Sequence, residues 1–163
     1  MTSNLIIIGI DPGLSTGMGI LWNGTRHGVM QGPPARIIQE LQKQLDLMML
    51  LSDREIRIGI ERFITTPETG KKSQQSTALE VIGAVTHVAT EAGVPIHKQT
   101  VSDVKKLTSN RRLRELGLYV TARDVNQPDA NDANDAMRHA VYCTAIHHAT
   151  AFVAMLERAR LIR

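Results

Sequence analysis

A chain of 163 residues carrying 19 Lys and Arg against 16 Asp and Glu, a formal charge of +3, is long enough for one hydrophobic core and too short to need a second. A single cysteine, Cys143, excludes an internal disulfide and an all-thiolate metal cage. No apolar run approaches the ~18 residues of a membrane span, and no start of the chain reads as a secretion signal, so a cytoplasmic protein with no membrane partner is expected.

Residues 5–10, "LIIIGI", are apolar on both faces, as in a central strand covered on each side. The strand ends on Asp11, followed by Pro12 and Gly13. Asn23-Gly24 between two short apolar runs predicts a tight hairpin, giving an antiparallel meander of strands at roughly residues 5–10, 16–22 and 26–31. After Pro33-Pro34, the apolar residues Ile37, Ile38, Leu41, Leu45, Met48 and Met49 recur at helical spacing across residues 35–51. Ile56, Ile58 and Ile60 then alternate with Arg57 and Gly59, and this strand also ends on a carboxylate, Glu61.

A polar stretch with Pro and Gly follows, then an apolar-periodic helix over residues 73–92 closed by Gly93. "VPIHKQ" is a short strand. Ser102 or Asp103 is the expected cap of a short basic helix, and a second helical piece carries Arg111, Arg112 and Arg114. "DVNQPDAND" reads as turns, residues 131–149 as a helix, and the Arg-spaced end, about residues 152–163, as a short basic tail. The whole is one α/β domain, a mixed sheet with a three-strand antiparallel meander and parallel strands, flanked by helices.

Asp132 and Asp135, three apart at a helix start and capped by Asn131 or Asp129, are followed four residues on by His139, so that all three share a face. Acids at a helix start also suit the macrodipole on their own. Beside two acids at strand ends, however, they make a constellation. Asp11, Glu61, Asp132 and Asp135 offer hard oxygen ligands without cysteine, which selects Mg²⁺, with Mn²⁺ as a substitute. Four carboxylates would hold two ions, an arrangement that stabilises the attacking and leaving oxygens of a phosphodiester displacement. Zinc is disfavoured there, because the histidines lack the spacing of a zinc motif. His139 could ligate metal or position water.

"IIGIDPGLSTGMGI", "IGIERF" and "DANDANDAMRHAVY", in that order, resemble the RuvC-type Holliday junction resolvases, crossover junction endodeoxyribonucleases of the RNase H-like (retroviral integrase) superfamily. The resemblance spans essentially the whole chain. It implies an RNase H-like fold and a homodimeric, Mg²⁺-dependent endonuclease that makes paired nicks in four-way DNA junctions, one active site per subunit. Asp11 matches the family's first-strand aspartate, Glu61 its strand glutamate, and Asp132 and Asp135 its helix pair. His139 is an addition to that set. Phe63 lies near the loop aromatic thought to work at the junction centre.

Lys98, Lys105, Lys106, Arg111, Arg112 and Arg114 form a basic cluster facing few acids, which Lys71 and Lys72 extend. Phosphate neutralisation by such residues gives sequence-independent, salt-sensitive DNA affinity. With one Trp, two Tyr and two Phe, base stacking cannot dominate. Other readings are an RNase H-like nuclease acting on flaps, other branched DNA or RNA–DNA hybrids, and a non-catalytic branched-DNA binder. "DPGLSTG" also resembles the first phosphate loop of sugar kinases and actin, whose architecture needs two such domains. The helix over residues 73–92, with Leu79, Val81, Ile82, Val85 and Val88, is the candidate dimer interface.

Overall fold

The computed structural model describes residues 4–63 and 73–161. Strands β1 (Asn4–Asp11), β2 (Thr16–Trp22) and β3 (Thr25–Gly32) form the expected meander. The β2–β3 turn places Asn23 and Gly24 at φ 49° and 73°, the left-handed pair that a two-residue hairpin of this twist requires. Helix α1 (Pro34–Met48) leads to β4 (Arg54–Glu61), and α2 (Ser73–Glu91) leads to β5 (Ile96–Gln99). The sheet order is β3-β2-β1-β4-β5, with β1–β2 and β2–β3 antiparallel and β1–β4 and β4–β5 parallel. The remainder is helical: α3 (Val101–Leu107), α4 (Asn110–Glu115), α5 (Ala122–Val125), α6 (Asn131–His147) and α7 (Ala149–Leu161).

Alternation in the strands divides the core in two. Ile6, Ile8 and Ile10 of β1 join Ile56, Ile58 and Ile60 of β4 and the apolar faces of α1 and α2. Leu5, Ile7 and Leu21 face the other way, against Met137, Ala140 and Val141 of α6. Glycine decides how closely α6 lies on that face. A Cβ on Gly17 of β2 would stand 2.0 Å from the Asp132 carbonyl oxygen, and one on Gly9 of β1 only 1.9 Å from that of Ala136. Helix backbone therefore rests directly on strand backbone. From Asp132 over β2, α6 passes Ala136 over β1 and reaches His139 over β4, where its carbonyl oxygen is 2.8 Å from the Cβ position of Gly59.

Several local expectations change. Thr100, not Ser102 or Asp103, caps α3, its Oγ1 accepting the Asp103 amide at 3.3 Å. The start of α6 has Ala130 at its cap position, but Asp129 just before it accepts the Asn131 amide on Oδ1 at 3.1 Å, as expected of that residue. Gln31 of β3 adds a partner from a distance, its Oε1 accepting the Ala133 amide at 3.1 Å. The turn-rich stretch before α6 contains the one-turn helix α5, ended by Asn126 in the left-handed region. The Arg-spaced end is helix α7, which buries Met155 and whose Arg158 donates to the Asn23 carbonyl at 3.0 Å. In α2, Val81, Ile82, Val85 and Val88 belong to the chain's own core, and of the five apolar residues expected at an interface only Leu79 is exposed. No helix among the described residues is long and apolar enough to cross a membrane.

Candidate active site

Parallel pairing explains why two strands each end on an acid. Ile10 of β1 lies opposite Ile60 of β4, so the next residues, Asp11 and Glu61, leave the sheet side by side on the face that α6 covers. The third member comes from α6. One ligand atom each of Asp11, Glu61 and His139 lies within 4.8 Å of the others. They line a pocket of about 120 Å³ together with Lys105, Asp135 and Arg138.

The helix acids take different positions from each other. Asp135 lines the same pocket and pairs with Arg138, one turn along α6. Asp132 opens instead into an adjoining cleft of about 380 Å³ with Phe63, Leu14 and Ser15, and Asp11 is common to both hollows. The diagonal path of α6 is the reason. Seven residues separate Asp132 from His139, about 10 Å along the axis, so one stands over β2 while the other reaches β4.

The electrostatics follow from crowding acids under a helix. Burial and the neighbouring charges of Glu61 and Asp132 push the Asp11 carboxyl up to about 8, against a smaller opposing pull from Lys105. Glu61 is raised too, chiefly by burial. His139, almost fully buried, is held down at about 4 by burial, with Arg138 and Lys105 adding repulsion. Its Nδ1 lies 2.8 Å from Oε1 of buried Gln99 on β5. That oxygen accepts, so the proton sits on Nδ1 and the Nε2 lone pair stays free, as second-sphere carbonyls arrange for ligating imidazoles. Gln99 and Arg138 were not singled out in the sequence; a glutamine two residues after a histidine in a short strand carries no signal until α6 is laid beside it.

This donor set fits a divalent cation. Two carboxylates and a neutral imidazole converge from three elements, and the acids repel one another without a positive charge between them. The oxygens suit Mg²⁺ or Mn²⁺. For two ions, Asp135 and Asp132 would have to contribute from either side of Asp11.

The basic residues flank this end of the sheet unevenly. Lys105 of α3 enters the pocket itself. Lys98 and Lys106 are exposed, the latter 3.9 Å from Asp103. Arg111 and Arg112 are held by Glu115, at 2.9 and 3.7 Å, and Arg114 stacks 3.9 Å over the Tyr119 ring. Phe63, half-buried, packs on the α1–α2 core at the edge of the Asp132 cleft. Lys71 and Lys72 lie outside the described residues.

No protein-family model matches the chain, and no curated protein matches its sequence. Among solved structures it is similar to Thermus thermophilus RuvC in complex with Holliday junction substrate, with TM-score 0.56 and 16% identity over 94% of this chain and 95% of that one. A second Thermus thermophilus RuvC structure matches at TM-score 0.45 and 18% identity over the same shares of the two chains. The fold is thus the RuvC-type, RNase H-like mixed sheet flanked by helices.

Proposed function

We propose that this chain is a divalent-metal-dependent endonuclease that resolves four-way DNA junctions by paired nicks, working as a homodimer. The observation that carries the reading is the convergence of Asp11, Glu61 and His139 at the strand ends of a fold whose solved counterpart holds a Holliday junction. Asp11, Glu61, Asp132 and Asp135 are the proposed ligands of two Mg²⁺ ions, with His139 as a further ligand or the group that orients water. Bound there, the cations would polarise phosphate oxygens and lower the pKa of water.

The chain's own residues supply the rest. Lys105, whose charge acts on Asp11, Glu61 and His139, would meet the scissile phosphate. Arg138 holds Asp135 in place. His139 stays neutral through the physiological range and can accept a proton at Nε2 while Gln99 fixes Nδ1–H. Lys98, Lys106, Arg111, Arg112 and Arg114, with Lys71 and Lys72, would bind backbone phosphates beyond the cut, and Phe63 would meet DNA at the mouth of the Asp132 cleft.

The test is nick mapping on an immobile four-way junction labelled on each strand in turn, with Mg²⁺, Mn²⁺ or chelator. Symmetric metal-dependent nicks are expected. Equal cutting of linear duplex, flap and RNA–DNA hybrid would point instead to a broader RNase H-like nuclease. Junction binding without cutting in either metal would leave a non-catalytic branched-DNA binder. A monomer by sizing at micromolar concentration would sink paired cleavage.

A further inference from the structure

A second titratable cluster lies farther along α6, beneath edge strand β5. Cys143 and His147 are four residues apart and so share a face of the helix, and His97 of β5 closes against them. One ligand atom of each lies within 4.8 Å of the other two. The His97 and His147 rings approach to 3.7 Å between centroids at 34°. Around a tetrahedral zinc ion with Zn–N about 2.1 Å and Zn–S about 2.3 Å, ligand atoms stand roughly 3.4–3.8 Å apart. The 4.8 Å limit on the ligand atoms exceeds that spacing by roughly 1.0–1.4 Å. Cys143 is fully buried and His97 half-buried, while His147 is exposed and leaves the fourth position open to water.

We propose that His97, Cys143 and His147 form a binding site for a borderline-soft divalent cation, Zn²⁺ by its ligand chemistry, which staples the β5 edge to the last turn of α6. One thiolate and two imidazoles are the donor set that hard Mg²⁺ avoids and zinc accepts. Binding breaks the Cys143 S–H bond and forms an S–Zn bond, the proton leaving to water, one per ion. Two features oppose binding: burial pushes the Cys143 thiol up to about 12, which the metal–thiolate bond must overcome, and Arg57 Nη1 lies 3.1 Å from His97 Nε2. Glu55 already holds the same guanidinium, with Nη2 2.8 Å from Oε1, so the arginine can release the ring without losing its partner. Its helix ligands Cys143 and His147 lie about 6 and 12 Å along α6 from His139, and it shares no ligand with the nuclease pocket. It stands or falls separately from the proposed nuclease activity.

The probe is Co²⁺ titrated into the chelator-treated full chain, followed by displacement with Zn²⁺. Because Cys143 is the sole cysteine, a thiolate-to-cobalt charge-transfer band can arise only here. Expected are that band, its loss on adding one equivalent of Zn²⁺, and a rise in Tm with Zn²⁺ that Mg²⁺ does not reproduce. His147→Gln, an exposed substitution that leaves the core intact, should weaken Co²⁺ binding at least tenfold. Asp11→Asn should leave the band unchanged, and Arg57→Gln should tighten binding. Cobalt binding without a charge-transfer band, or with unaltered affinity in His147→Gln, would overturn the proposal.

Discussion

Asp11 and Glu61, ending two parallel strands, bring carboxylate oxygens within 4.8 Å of each other, a crowding that disfavours two charges with no cation between them. One of them carries a proton, and burial together with the charges of Glu61 and Asp132 assigns it to Asp11. Without a cation this pair is a source of instability in the fold. Asp11→Asn keeps the shape, supplies a permanent hydrogen-bond donor and removes the charge. It should abolish nicking, by about 10³-fold or more, while junction affinity holds or rises because a repulsion with phosphate is gone. In metal-free buffer its Tm should exceed that of the parent. A drop in both Tm and binding would mean that Asp11 is a structural turn residue.

The same pair sets a pH dependence whose sign can be worked out. The folded-state pKa of Asp11 is raised from 3.8 to about 8, so the folded state binds more protons across that interval. Its contribution to stability is fully present below the unfolded value and is lost as pH rises toward 8. His139 runs the other way, since its pKa falls from 6.5 to about 4. Its share is present above 6.5 and lost as pH falls. The two oppose each other between 4 and 6.5, leaving Asp11 the larger part of the slope from 6.5 to 8. Metal-free protein should lose up to about 2 kcal/mol across that window. Denaturant melts at pH 6.5 and 8 would show it; Asp11→Asn or saturating Mg²⁺ should flatten it, and a flat parent profile would refute the assignment.

Gln99 acts on the site through His139, as a positioning residue. Gln99→Leu removes the acceptor from Nδ1 and frees the ring tautomer, which should lower kcat by about 10–100-fold with little change in KM for the junction. Gln99→Glu keeps an acceptor there. It should restore much of the rate and move the acid limb of the pH–rate profile upward, because a carboxylate favours the imidazolium. A merely structural Gln99 would give equal losses in both variants and no shift of the limb.

Much of the architecture was legible in local chemistry. Asn23-Gly24 specified the hairpin, alternating isoleucines specified β1 and β4, and the acids at their ends followed once the strands were taken as parallel neighbours. The grouping of the α6 residues was not legible in the same way. Periodicity put Asp132, Asp135 and His139 on one face, but which of them meets Asp11 and Glu61 depends on the angle at which α6 crosses the sheet. Gly9, Gly17 and Gly59 set that crossing, and in the sequence they read only as small residues in strands. Gln31 and Gln99 act across the chain for the same reason: their partners lie on α6, far away in sequence.

The basic surface should divide into strong and weak contributors. Lys105 lines the pocket and acts on three of its groups. Arg111 is already tied to Glu115 and must exchange one partner for another. Lys105→Ala should therefore lower cleavage more than binding, whereas Lys98→Ala should weaken binding and reduce the slope of log affinity against log salt by about one. Arg111→Ala should do less than either. Equal effects at all three positions in a salt series would mean that DNA contacts this face diffusely.

The seat of α6 gives the most direct test of the fold that carries the site. A methyl group at Gly9 would lie 1.9 Å from the Ala136 carbonyl oxygen and 2.6 Å from the Ala140 amide nitrogen, both backbone atoms that no rotamer change can move. Gly9→Ala must lift the helix from β1, with a stability cost at or above the ~1–3 kcal/mol of ordinary overpacking. His139 rides on the same helix, so its separation from Glu61 should grow, and metal-dependent nicking should fall even where the variant stays folded. Gly83, exposed on α2 with nothing within 4 Å of a Cβ, is the control. Gly83→Ala should leave activity unchanged and raise Tm slightly, since alanine is the better helix former by about 1 kcal/mol. If the two substitutions were equally mild, close contact of α6 with the sheet would not be what brings His139 to the two strand-end acids.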